Sequence, residues 1–184
     1  MSTDPPETQH RPSLTPPFFP QPKEFSMTSP VLSPQAIAVT SDRLSGMLSV
    51  CRTNRLAGGE DTVEAVDWLG DHLGNCTPLL EQDLRDHGID LPQRTPTVPV
   101  PPASSLSLDA LTIATSLALD WLVTIVKQPE PTLADQEARP FLQLFLTSML
   151  NEIIASAKAA ADDEIASHHA ADMVTDIETF LRDL

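Results

Sequence analysis

The feature that most constrains the fold is the absence of glycine after Gly88. Glycine supplies the positive φ angles of tight turns, so its absence disfavours β-hairpins and favours long helices. Helix interruptions after the linker are therefore expected only at proline: at Pro129 and Pro131, and as a bend within a continuing helix at Pro140. Since no stretch alternates apolar and polar residues over a strand length, we predict an all-α fold.

Proline divides the chain into segments. Nine of the 18 prolines fall in residues 1–34, which we predict to be a disordered tail. Five more occur in residues 90–104, and we predict a proline-rich linker over 91–104. The remaining segments, 35–90 and 105–184, are predicted to be a small three-helix module and a helical bundle module that either stay separate or pack as one bundle. About six helices are expected, at 34–57, 61–73, 77–88, 108–127, 132–161 and 163–184.

Helix-start and helix-stop signals set these boundaries. Ser33 and Thr77 each precede a proline, which combines a capping hydroxyl with the residue favoured at the first helical position. Gly58 and Gly88 each follow an apolar periodic stretch, as glycine does at helix ends. Ser107 is the predicted cap of the fourth helix.

The fourth predicted helix is apolar on all sides, which indicates a central core helix or, as the alternative, a membrane span. Its apolar window, 110–126, is shorter than a bilayer requires and contains Asp120, so we predict the core helix and no membrane insertion. The fifth helix carries a wide apolar arc. We expect homodimerisation through the fifth and last helices, because this is the simplest way to cover that surplus. The arc consists of Leu142, Leu146, Met149, Leu150, Ile153, Ile154 and Ala157.

The chain is strongly acidic, with a formal net charge of −15 and a pI near 4.4. Nucleic acid and anionic membranes repel such a field, so we predict a protein partner of basic character. Residues 59–90 contribute nine acids and one base. Helix one is net positive, with Arg43, Arg52 and Arg55 against Asp42, and we expect it to lie against the acidic helices.

The sequence contains none of the motifs G-x-G-x-x-G, G-x-S-x-G or H-E-x-x-H, and we predict a non-enzymatic protein without a cofactor. Cys51 and Cys76 have neither disulfide-framework nor metal-ligand spacing, so we expect them to be buried apolar groups. The alternative is a nucleophilic cysteine paired with His72 or His87.

One spacing in the last helix is typical of a metal site. Glu164, His168 and Asp172 follow each other at four-residue intervals, which stacks their side chains in one column. Carboxylate and imidazole groups in such a column bind metal ions in helical bundles. The alternative is a solvated face stabilised by histidine–carboxylate pairs.

Two aromatic features indicate partner binding. Trp68 projects from the second helix among Asp61, Glu64 and Asp71, and an aromatic ringed by charge is typical of an interface anchor. The alternative is that Trp68 packs against another helix or the linker of its own chain. Phe18 and Phe19 lie inside the proline run at residues 14–20, and prolines preorganise such a segment for binding to a partner. The alternative is that these residues form a plain solvated tail.

We therefore predict a non-enzymatic interaction protein, an adaptor or assembly factor that uses acidic helical surfaces and a proline-rich tail. The alternative is a helical metal-binding protein using Glu164, His168 and Asp172. Residues 1–10 lack the basic start and apolar run of an export signal, so a cytoplasmic location is expected.

Overall fold

The computed structural model describes residues 32–86, 88, 99–161 and 167–184. All regular structure in these ranges is helical, which confirms the all-α prediction. The helices are α1 (Pro34–Ala57), α2 (Glu60–Asp86), α3 (Leu108–Val126), α4 (Leu133–Ala161) and α5 (Ser167–Arg182), with a 3₁₀ turn at Ala103–Ser105. Residues 1–31 of the predicted tail and residues 91–98 of the predicted linker lie outside the described ranges.

The helix α1 begins and ends where the sequence predicts. The Ser33 hydroxyl accepts a hydrogen bond from the backbone N–H of Ala36 at 3.2 Å, and Pro34 is the first helical residue. The Ser33 N–H and hydroxyl both donate to the Glu137 carboxylate at 2.7 Å, which joins the start of α1 to α4. Gly58 follows the last residue of the helix.

The prediction of two helices over 61–88 is wrong, because α2 continues through Pro78, and the described residues form five α-helices where six were expected. Proline lacks the N–H that would bond the carbonyl of Gly74, a change that costs about 3 kcal/mol or more in a helix interior. Cys76 and Leu80, on either side of Pro78, are buried, and their packing offsets that cost. Pro140 is likewise inside α4, on an exposed position where water can reach the freed carbonyl.

The helices α3 and α4 have well-formed starts. The Ser107 hydroxyl accepts a hydrogen bond from the Ala110 N–H at 3.1 Å, as predicted for the cap of α3. At α4, Asp135 accepts from the N–H and hydroxyl of Thr132 at 3.0 and 2.7 Å, while the Thr132 hydroxyl accepts from the Asp135 N–H at 3.1 Å. This reciprocal arrangement is a capping box with aspartate in place of glutamate.

One hydrophobic core joins the two predicted modules, since its buried residues come from α1, α2, α3 and α4. The predicted arc of α4 is buried within the chain, as are Ala138, Phe141 and Phe145. A second, smaller cluster unites the end of α4 with α5 through Ile154, Ala157, Val174 and Ile177. The apolar surplus that suggested a homodimer is therefore covered inside one chain, and the dimer itself stays a prediction.

Of the described helices, α3 is long and apolar enough to cross a membrane by length and composition. Core helices of soluble proteins meet the same criterion. Ala110, Ala114, Ala118 and Leu122 are fully buried against the rest of the bundle. The helix thus contributes one buried face to the core, while Trp121 and other apolar residues on its flanks are half-buried.

Candidate functional site

The structure buries Trp68, which was predicted to be an exposed interface anchor. Its side chain is 3% exposed, and its indole Nε1 donates to the backbone carbonyl of Pro101 at 2.9 Å. The His72 ring lies against it, with ring centroids 4.0 Å apart. The alternative interpretation, packing against the linker of the same chain, is what the structure contains.

Two of the three acids predicted around Trp68, Asp61 and Glu64, are also engaged by the chain itself, while Asp71 is exposed on α2. The Ser107 hydroxyl donates to Asp61 at 2.7 Å, and the Ser107 N–H donates to Glu64 at 3.3 Å. On α4, one Glu152 oxygen accepts from the Ala103 N–H at 3.2 Å, and the other lies 3.3 Å from Nε2 of His72. The segment 99–107 therefore occupies the surface where the sequence predicted a partner.

The predicted metal column is not assembled within the described residues. Glu164 lies outside them, the side chain of His168 is not described, and Asp172 is exposed on α5. Among the described residues, no three His, Cys, Asp or Glu side chains come close enough to hold a metal ion together. The metal site stays a prediction, and metal analysis of untagged protein tests it.

Both cysteines are free and buried, as predicted. Burial raises the pKa of the Cys51 thiol to about 11 and that of Cys76 to about 12. These thiols are protonated near neutral pH, and a protonated thiol is a poor nucleophile. His72, one of the two histidines proposed as their base, instead contacts Trp68 and Glu152. The other, His87, lies outside the described residues.

A groove of about 330 Å³ runs between α1 and the second half of α2, and we call it the α1–α2 groove. Leu44 and Leu80 are buried in it, while Leu48 is 37% exposed. The Glu81 side chain is mostly buried there and lies 3.5 Å from Arg85. The groove is lined by Ser41, Leu44, Ser45, Leu48, Thr77, Leu80, Glu81 and Leu84.

A second groove of about 310 Å³, the α1–α3 groove, lies on the other flank of α1. Its apolar lining combines a buried methionine, a half-buried tryptophan and a valine that is 40% exposed. Gly46 contributes no side chain, and a Cβ added there would meet nothing within 4 Å. The lining consists of Asp42, Arg43, Gly46, Met47, Val50, Trp121, Thr124 and Ile125.

Sequence reasoning missed both grooves, although the position of Leu48 at the edge of the apolar stripe of helix one was a signal for the α1–α2 groove. The apolar spacing of helix one assigns Leu48 to the core together with Ile37, Leu44 and Cys51. At 100° per residue, Leu48 lies at the edge of that stripe, and the structure leaves it partly exposed. The core position is taken instead by Met47 on the other side of the stripe.

The predicted tail residues Phe18 and Phe19 lie outside the described residues. No family model, no curated protein and no solved structure matches this chain.

Proposed function

We propose that this chain is a non-enzymatic protein-interaction module, an adaptor or assembly factor, whose α1–α2 groove binds a basic amphipathic helix of a protein partner. The observation that carries the proposal is the combination of four leucines with the Glu81 carboxylate in one groove. Helical peptides dock in such grooves through apolar anchors spaced three or four residues apart.

The position of Leu48 supports an occupant from outside the fold. Its side chain borders the groove while remaining 37% exposed, so a partner side chain would remove further apolar surface from water. Burying an apolar side chain in this way stabilises a complex by about 25 cal/mol per Å². The described structure of α1 and α2 already presents this surface, so little ordering is needed on this side of the complex.

Charge supports a basic partner. Glu81 lies within the groove and Asp86 is exposed at the end of α2. The surrounding sequence, 59–90, holds nine acids and one base. A lysine or arginine of the partner would approach the Glu81–Arg85 pair in a field that is negative overall, which steers association and selects against acidic helices. We propose a cytoplasmic location, in keeping with the sequence expectation.

The test uses fluorescence anisotropy of a labelled helical peptide of leucine and lysine with the full chain, and a leucine–glutamate peptide for comparison. We expect the lysine peptide to bind at least about tenfold more tightly than the glutamate peptide. Leu48→Asp should weaken binding of the lysine peptide by about tenfold, because it removes an apolar contact and inserts an unpaired charge in the groove.

The matched control is Leu133→Asp, since Leu133 is 83% exposed and does not line the groove. Both variants add the same negative charge, so attraction to the protein by charge alone would strengthen lysine-peptide binding in each. Equal affinity of the wild type and Leu48→Asp would overturn the proposal. Weakening by both variants to the same extent would overturn it as well.

A further inference from the structure

The α1–α3 groove suits a different kind of ligand from the α1–α2 groove. Trp121 and Ile125 of α3 face Met47 and Val50 of α1 across it, and the missing side chain of Gly46 keeps it open. Grooves that bind proline-rich segments are lined by aromatic side chains, because a flat ring packs against the pyrrolidine rings of an extended chain. The half-buried Trp121 provides such a ring.

The chain itself contains a segment of matching chemistry. Residues 14–20 read LTPPFFP, with two aromatic side chains between prolines. Proline restricts φ before binding, so ordering such a segment costs less conformational entropy than ordering an average one. Phe18 and Phe19 supply apolar groups for a groove that presents mainly apolar side chains.

The connection between segment and groove is long enough. The described chain starts at Leu32, which is 1% exposed, and Ser33 is held by Glu137, so the exit point of the tail is fixed. The residues between Pro20 and Leu32 span up to about 40 Å when extended. The helical path from Pro34 to Val50 is only about 24 Å at 1.5 Å per residue.

We propose that the segment 14–20 docks in cis on the α1–α3 groove, with Phe18 or Phe19 packed against Trp121. Tethering gives the segment an effective concentration in the millimolar range, so a contact too weak to hold a free peptide at micromolar concentration is occupied in the intact chain. The docked segment then shields the Trp121 ring from solvent. This proposal concerns a different groove and does not depend on the proposed function.

Acrylamide quenching of tryptophan fluorescence tests the docking in the full chain. Trp68 is 3% exposed and hydrogen-bonded, so quenching reports mainly on Trp121. We expect the double variant Phe18→Ser/Phe19→Ser to raise the quenching constant about twofold, because the tethered cover is lost. Phe25→Ser is the matched control, since Phe25 belongs to the same tail but not to the segment 14–20, and it should leave quenching unchanged.

A synthetic peptide of residues 12–24 added to the double variant at about millimolar concentration, the effective concentration of the tethered segment, should restore the shielding. The same peptide with both phenylalanines replaced by serine should not. Quenching that is identical in the wild type and the double variant would overturn the proposal. So would shielding that depends on protein concentration between about 1 and 100 µM, since an intramolecular contact is independent of concentration and such dependence would mean docking on a second copy. Circular dichroism confirms that the compared proteins are equally helical.

Discussion

At the scale of single residues, Gly58 determines how α1 connects to α2. A Cβ at this position would lie 2.3 Å from Cγ2 and 2.4 Å from Cβ of Thr62, and 2.9 Å from the backbone oxygen of Asn54. Real Cβ atoms do not approach so closely, and the backbone oxygen cannot rotate away. At the neighbouring Gly59, an added Cβ would meet nothing within 4 Å.

We expect Gly58→Ala to lower the free energy of unfolding by about 1–3 kcal/mol, because overpacking forces the connection to shift. Gly59→Ala, one residue away, should change it by less than about 1 kcal/mol. Urea denaturation followed by circular dichroism measures both. Equal effects of the two substitutions would contradict the steric explanation.

The contribution of Asp135 to the stability of the fold depends on pH. Hydrogen bonds from the hydroxyl and N–H of Thr132 hold the pKa of its carboxyl below the usual range. A carboxyl group whose pKa is lower in the folded state stabilises the fold above its unfolded pKa, and this contribution disappears as pH falls through the folded pKa. Asp135→Asn should therefore destabilise the protein near neutral pH and make little difference in strong acid. Thermal unfolding of both proteins from pH 7 down to acid checks this, and an effect that is constant across pH would contradict it.

At the scale of elements, serine caps join helices as well as start them. The Ser33 hydroxyl accepts from its own helix and donates to Glu137 on α4. The Ser107 hydroxyl accepts from α3 and donates to Asp61 on α2. Since each hydroxyl has a donor and two acceptor sites, one side chain satisfies a helix end and an interhelical contact together.

Trp68 anchors the segment 99–107 to α2 through its hydrogen bond to the Pro101 carbonyl. Weakening this anchor should therefore make the segment detach more often. Trp68→Phe keeps a ring in the core but removes the hydrogen bond to Pro101, which leaves a carbonyl without this donor. We expect a loss of about 1 kcal/mol in stability and faster hydrogen exchange at the Ala103 N–H. Trp121→Phe is the control, because its ring lies at the α1–α3 groove. Unchanged exchange at Ala103 in Trp68→Phe would contradict this role.

At the scale of the whole molecule, charge is balanced locally but not in total. The prediction that helix one lies against acidic helices is confirmed, since Arg55 lies 2.6 Å from Asp67 on α2 and Arg43 lies 3.5 Å from Asp135 on α4. Arg55 and Asp67 are both about half exposed, so this pair contributes little to stability in water. The net charge of −15 leaves the acidic surface repelling itself.

We therefore expect the midpoint of thermal unfolding to rise by a few degrees between about 20 mM and about 300 mM sodium chloride. Added salt shortens the distance over which the acidic side chains repel each other. Differential scanning calorimetry at constant pH measures it. A midpoint that falls with added salt would show that the exposed ion pairs outweigh the repulsion.

The sequence predicted those features of the fold that depend on interactions between residues close together in the chain. The starts of α1 and α3 are set by Ser33 and Ser107, whose hydroxyls bond amides three residues away, and both were predicted. The buried arc of α4 was predicted as well, because helical periodicity alone assigns it to one face. The burial of Val174 of α5 in the small cluster with the end of α4 was not among the predictions.

What the sequence by itself determined is the helical class, the ends of α1 and the pairing of its arginines with acidic helices, since these follow from hydrogen bonds within a helical turn and from charge. The tertiary structure decided that α2 continues through Pro78 and that Trp68 is buried. Helix propensity at Pro78 opposes the first outcome, and packing of Cys76 and Leu80 in the core outweighs it. The burial of Trp68 depends on a hydrogen bond to a carbonyl 33 residues away in sequence, and no local sequence pattern predicts a contact over that distance.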